Sequence, residues 1–550
     1  MATGPPPAES SIYDAKDLVN SKDISITGTD SPAASSLRLG EGGGGVWATG
    51  ASVELYKPIA EYEGAHRYDP QFAWEEEEER KLVRKLDYRV CSFVCFMFFA
   101  LQLDRGNISQ ALSDNMLDDL DMITNQYNYG MTIFYLCFLC AELPSQMLSK
   151  KLGPDVWIPI QMCLWSIVAI CQCRITGVSS FYATRAVLGL LEGGFIPDCV
   201  LYLSFFYTSK ELPIRLSFFW GCYISTQIIS ALLAYGILHL REATGFAGWR
   251  WLFAIEGALT FLIGVFAWFY MPPSPTQTAS WFRGKDGWFS EHEEKIMVNR
   301  VLRDDPAKGG MHNRQGLTLS LLWEALCDYD LWPIYLLGLT WSIPATPITA
   351  YLTLNLKALG FSTFETNLLT IPAYVLFGIQ LLFWTWFSER VNSRMWTVLV
   401  AQAWCLPLIL GLELMPDNAS PWSWYACSAL LIGYPYVHAI LVSITSRNAG
   451  SVRTRTVGSA LYNMAVQASS IISSNIYRTD DAPYYRRGNK VILGIIVWSS
   501  ALIIATKFYY SWRNKKRDAI WNAMTPEQRD DYLRTTTDQG NKRLDFRFAH

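Results

Sequence analysis

From Tyr88 to Trp512 the chain repeats one pattern, apolar stretches of about twenty residues separated by mostly short polar connections. A stretch of that length, wound as a helix rising about 1.5 Å per residue, crosses about 30 Å of hydrocarbon. Twelve such spans are predicted, at approximately 88–109, 127–148, 157–176, 181–205, 216–240, 250–271, 332–354, 366–388, 395–414, 422–445, 456–477 and 491–512. Within a bilayer, backbone N–H and C=O groups must be satisfied inside the segment, which makes these spans helices. The expected fold class is an all-α membrane protein. Composition agrees, because only 17% of residues are charged and 51% are hydrophobic, whereas soluble chains carry about a quarter charged residues.

Between the sixth and seventh spans lies a longer polar connection, Pro272 to Asp330, with an amphipathic helix opened by the capping-box pattern Ser290-Glu291-His292-Glu293. The chain thus divides six plus six. The expected organisation is a tail over 1–86, a six-helix bundle over 87–271, a central loop over 272–330, a second six-helix bundle over 331–512 and a tail over 513–550. The first tail is rich in Ser, Gly, Pro and acids, including Gly42 to Gly45 and Glu75 to Glu79, and is expected to be disordered. It contains nothing that resembles a secretory signal. An even number of spans puts both termini and the central loop on one side. Lys150, Lys151, Lys210, Arg215, Arg390, Arg394, Arg447, Arg453 and Arg455 flank connections on that side, which marks it as cytoplasmic. One opposite loop, with Arg478, Arg486, Arg487 and Lys490, runs against the trend.

A net charge of −3 offers no basic footprint for nucleic acid. The twelve cysteines are scattered through apolar segments without neighbouring histidines that could complete a zinc site. The six histidines are dispersed, with no metal set or nucleophile constellation. No enzyme, cofactor or metal is expected, and the chain is expected to act as a monomer.

The informative residues are charges inside the spans, where an ionised group costs about 2.5–3.5 kcal/mol at the bilayer centre unless it is paired, hydrated or functional. They cluster in the first half: Asp104, Arg105 and the neighbouring Asn107 in span 1, Glu142 in span 2, Arg185, Glu192 and Asp198 in span 4, and Glu256 in span 6. The second half offers Asn355, Gln380, His438, Tyr462, Asn463 and Gln467. Arg185 and Glu192 share a helix face about 10.5 Å apart along the axis, and Asp104 shares a face with Asn107 while Arg105 points about 100° away. One reading makes Arg185 a structural partner of Glu192 or Asp104. The other makes an anion site with proton carriers. A guanidinium stays charged and binds carboxylate or sulfonate through two parallel bonds, whereas a desolvated carboxyl can bind and release protons near neutral pH. Asp198 is expected to face water. Glu142 precedes Pro144 and fits a helix kink or a cavity wall, Glu256 fits an interhelical partner, and His438 fits a substrate contact or an interhelical hydrogen bond.

Five motifs carry a resemblance: Leu103-Asp104-Arg105-Gly106-Asn107, Glu142-Leu143-Pro144-Ser145, Arg185 through Glu192-Gly193-Gly194-Phe195 to Pro197, Gly248-Trp249-Arg250-Trp251 and Leu461-Tyr462-Asn463-Met464. Over roughly residues 85–515 the chain resembles the major facilitator superfamily, and within it the anion:cation symporter family and its fungal allantoate permease-like group. The connections Lys150-Lys151-Leu152-Gly153 and Ser388 to Arg394 sit where that superfamily carries a G-x-L-x-D-R-x-G-R loop, and both depart from it. The resemblance implies two bundles that rock about a central site. It assigns proton coupling to Asp104 and Glu192 and anion recognition to Arg105 and Arg185. Asn463 would add a neutral contact, with Asn107, His438 and Glu142 as further substrate-binding candidates. The implied function is proton-coupled symport of a small organic or sulfur-containing anion (vitamin-like carboxylate, ureide, sulfate or sulfonate) across the plasma membrane. A non-transporting nutrient sensor and an uncoupled anion facilitator are the alternatives.

Overall fold

The computed structural model of the protein describes residues 57–58, 60, 62–208, 211–241, 245–304, 323, 326–391, 393–449, 452–536 and 540–550. Among these residues the regular structure is helical, apart from one isolated bridge between Ser280 and Gly284. Among the described residues nine helical stretches are long and apolar enough to cross a membrane, the bent span 4 counted as one of them. Span 1 is observed as Ser92–Ser113, span 2 as Thr124–Leu152, span 3 as Pro154–Cys171, span 5 as Leu212–Leu238 and span 6 as Gly248–Tyr270. Spans 8, 9 and 12 are Thr370–Val391, Arg394–Leu414 and Arg486–Ala523.

The remaining spans are interrupted or polar, for reasons written in their residues. Span 4 is two helices, Val178–Glu192 and Phe195–Phe206, hinged at Gly194, whose φ of +91° an L side chain rarely adopts. Span 7 is Trp332–Thr340 followed by Thr346–Ala358. Pro347 sits in the first turn of the second piece, where its missing N–H costs no hydrogen bond. Span 10 is Pro421–Ile432 and His438–Asn448 around Gly433-Tyr434-Pro435. Span 11, Val452–Ser473, is helical but rich in Ser, Asn and Gln. Irregular or polar backbone at membrane depth survives where protein buries it or a cavity hydrates it.

The chain forms two compact units. One comprises the described residues within 1–91, 201–215 and 272–314. Its central-loop helix, Glu291–Asp304, opens as expected: the Ser290 N–H donates to Glu293 Oε2 at 2.9 Å and the Glu293 N–H to Ser290 Oγ at 3.3 Å. The end of the supposed tail is not disordered. Glu76–Leu86 is a helix whose first turn is Glu76 to Glu79, where the helix dipole favours acids, and which buries Leu82 and Leu86. Residues 1–56 of that tail lie outside the described residues. Lys85 pairs with Glu293 at 2.8 Å, and the buried Arg300 guanidinium donates to the Phe206 carbonyl at 2.8 Å and pairs with Glu211 at 2.9 Å.

The other unit holds the described residues within 92–200, 216–271 and 315–550. Span 6 packs on spans 3 and 1, span 2 on span 4, span 9 on span 12 and span 7 on span 11. The span 12 helix continues past residue 512 to Ala523, and the terminal segment folds back on it. Phe548 stacks on Tyr510 at 4.9 Å, while Asn448 exchanges two hydrogen bonds with Ala549 at 3.1 and 2.7 Å.

Candidate functional site

Span 1 sends adjacent charges to different neighbours. Arg105 Nε donates to Glu192 Oε2 at 2.6 Å, its guanidinium lying 4.7 Å from the centre of the Phe138 ring. The Glu192 carboxyl is fully buried, whereas the Arg105 side chain retains 20% of its exposure. This ion pair therefore borders accessible space on its cationic side.

Arg185 is not the partner of Glu192, nor of Asp104, so the structural-pair reading does not hold. Its Nη2 donates to Gln172 Oε1, its plane lies over the Phe181 ring, its Nε is unpartnered, and among the described residues it forms no ion pair. Helical side chains lean toward the helix N-terminus, so Arg185 reaches away from Glu192 toward the end of span 3 although both occupy one face. Its electrostatic neighbours are Tyr127 and Tyr135 of span 2 together with Glu192.

Asp104 is wholly buried. Trp165 Nε1 donates to its Oδ2 at 3.1 Å, and its Oδ1 has no partner. Asn107 is equally buried, with both amide atoms unpartnered. Glu142 is buried with Oε2 unpartnered, and Pro144 lies inside its helix. Asp198 does not face water. It is fully buried and accepts from Ser145 Oγ at 3.4 Å, because the turn at Gly194 directs the second helix of span 4 toward span 2.

In the second half His438 opens the second piece of span 10, where Tyr462 Oη lies 3.3 Å from its Nδ1. Its ring sits 5.6 Å from that of Trp220 in span 5 and 5.9 Å from that of Trp341, linking the two halves of the chain. Tyr462 packs inward against Gly338, so Asn463, about 100° further round the helix, is exposed.

A small, partly open pocket lies between spans 2, 7 and 11, lined among others by Tyr127, Met131, Tyr135, Pro347, Tyr351 and Ser474. Tyr127 and Tyr135 also neighbour Arg185, so pocket and guanidinium share a wall. At the end of the bundle opposite the C-terminal segment, hydrogen bonds join the two halves. Tyr351 donates to Asn128 Oδ1, Asn128 Nδ2 to the Tyr477 carbonyl at 2.6 Å, and Lys357 Nζ to the Ser113 carbonyl at 2.8 Å. Asn125 and Thr479 exchange two bonds at 3.1 Å. Sequence reasoning did not find Gln172, Trp165, Tyr127 or Tyr135. They are neutral, and nothing along the chain distinguishes them from packing residues.

Comparison with known proteins places this geometry in context. The model of the Major Facilitator Superfamily matches residues 94–474. An uncharacterized transporter of Saccharomyces cerevisiae, YIL166C, is 47% identical over 491 residues, covering 89% of this chain and 90% of its own. The MFS-type transporter efuF of Hormonema carpetanum is 26% identical, covering 80% of this chain and 86% of its own. Among solved structures, an inward-facing bacterial homolog of the human lysosomal transporter Spinster covers 76% of this chain and 96% of its own, with a TM-score of 0.58 at 14% identity. The xylose transporter XylE from E. coli, partially occluded and inward open, covers 76% of this chain and 97% of its own, with a TM-score of 0.58 at 13% identity.

Proposed function

Since the chain belongs to the Major Facilitator Superfamily and is a multi-pass membrane transporter rather than an enzyme, we propose that it carries a small organic or sulfur-containing anion inward together with protons, as an anion:cation symporter of the allantoate permease-like group. The observation that carries this reading is the Arg105–Glu192 pair beside an Arg185 that has no acid partner among the described residues. An incoming anion competes with Glu192 for the Arg105 fork. Protonating Glu192 removes its charge, frees the guanidinium and leaves two cations facing one anion. Proton and anion binding then favour each other, which is the thermodynamic content of coupling.

Asp104 is the second proton carrier, Asn107 and Glu142 border the same half of the site, and Asn463 and His438 offer neutral contacts from the opposite half. The cycle alternates between a state closed at the end opposite the C-terminal segment and one closed at the other. The plasma membrane, with both termini cytoplasmic, is the proposed location, and the monomer the working unit. The membrane potential supplies about 2.3 kcal/mol per charge per 100 mV. One proton per monovalent anion draws only on the pH gradient, whereas two protons draw on the potential as well.

The test is labelled uptake into proteoliposomes with pH and voltage set independently, using sulfate, methanesulfonate, a pyridine carboxylate and a ureido carboxylate. Accumulation of at least one of them against its gradient, driven by an inward proton gradient, is expected. Equilibration without accumulation would identify an uncoupled facilitator, and the absence of any flux would favour a sensor.

A further inference from the structure

Glu256 lies 8 residues into the 23-residue helix of span 6 and is 1% exposed, and both of its carboxyl oxygens lack a partner. Facing it from span 1 are Asn107, whose buried amide is directed at the Glu256 carboxyl, and Asp104. Thr260, one turn along span 6, directs its fully buried hydroxyl at Asp104. Spans 1 and 6 run in opposite directions, so the two faces meet in order, Asn107 at Glu256 and Asp104 at Thr260.

Among the described residues no cation is paired with this cluster. Arg105 is turned to Glu192. Span 3, packed against both helices, carries Asp155 in its first turn as its one charged residue, besides Cys163 and Cys171. Span 5, which reaches Gly106 through Gln227 and Ser230, has Arg215 in its first turn, paired with Asp87. From span 4 the facing charge is Glu192, again an acid. Two carboxylates buried within Coulombic reach of each other without a cation cannot both stay ionised, and one proton on the pair removes one of the two buried charges.

We infer that Glu256 is a third proton-carrying carboxyl of the transporter, sharing one proton with Asp104 across the contact of spans 1 and 6. The inference rests on the proton-coupled reading above and extends it. The shared proton is a second one in each cycle, besides that on Glu192. It is taken up and released by making and breaking a carboxyl O–H bond, with no other bond changed. In Glu256→Gln, Asp104 faces a neutral amide that can donate to it, keeps its charge and no longer carries the proton.

The experiment measures charge moved per anion, as the ratio of current to labelled flux in proteoliposomes, with whichever anion of the panel the wild type transports. The ratio is expected to fall by one elementary charge in Glu256→Gln and to return to the wild-type value in Glu256→Asp, with proton-gradient-driven uptake retained in both. An unchanged ratio in Glu256→Gln overturns the inference. Independently, the purified wild type is expected to show a protonated-carboxyl carbonyl band in the infrared at neutral pH that disappears in Glu256→Gln and in Asp104→Asn. Absence of that band in the wild type overturns the shared proton even where the Gln variant does not fold. Wild-type uptake that ignores the proton gradient would instead sink the symport reading and leave the infrared band to decide this pair.

Discussion

Glu192 and Arg105 hold each other at 2.6 Å, and the proposed coupling turns on what breaks that pair. In Glu192→Gln the acid can no longer compete with substrate. Anion binding is then expected to survive, and exchange of internal for external anion to continue, while accumulation driven by a proton gradient falls at least tenfold. Undiminished uphill uptake in that variant would remove Glu192 from coupling. Arg185→Lys keeps the charge but loses the planar fork, and a lost charge-assisted bond of about 1.5–3 kcal/mol corresponds to roughly 10- to 150-fold weaker affinity. Competition binding on the purified variant measures it, and unchanged affinity would return Arg185 to a structural role. Which residues mattered was readable along the chain, because charges in apolar spans stand out. Their partners were not, because pairing depends on the rotation of each helix. The 100° between Asp104 and Arg105 separates their targets but does not name spans 3 and 4 as those targets.

At the scale of elements, length and apolarity were enough to locate the continuous spans, and Ser290-Glu291-His292-Glu293 to locate the start of the central-loop helix. Reading failed where two signals conflict. The acidic run before Leu82 looks like solvated tail by composition, yet it is the favoured first turn of a helix. Asp198 follows a proline and looked exposed, but Gly194 turns it inward. Span 4 also depends on a close approach to span 2, since a Cβ on Gly189 would collide with the Phe134 carbonyl. Backbone cannot swing aside as a flexible side chain can, so Gly189→Ala is expected to cost about 1–3 kcal/mol. A lowered unfolding midpoint of the purified protein in detergent would show this, together with weaker anion binding as Arg185 and Glu192 shift. An unchanged midpoint would mean that the two helices are not in contact there.

At the scale of the whole transporter, alternation requires the bonds between Asn125 and Thr479, and those around Asn128, to open once per cycle. Cysteines placed at both positions 125 and 479 are expected to cross-link under mild oxidation and stop transport, with full recovery on reduction, while each single substitution remains active. Transport that continues in the cross-linked protein would show that this end does not open. In the proposed mechanism an anion and a proton enter the site together because one acid guards one guanidinium. The most direct measurement of this is proton uptake by purified protein in weakly buffered solution when a transported anion is added. Above the pH at which Glu192 titrates, about one proton per bound anion should be taken up, with affinity falling about tenfold per pH unit, and that uptake should be lost in Glu192→Gln. Binding without proton uptake, at an affinity independent of pH, would contradict the account.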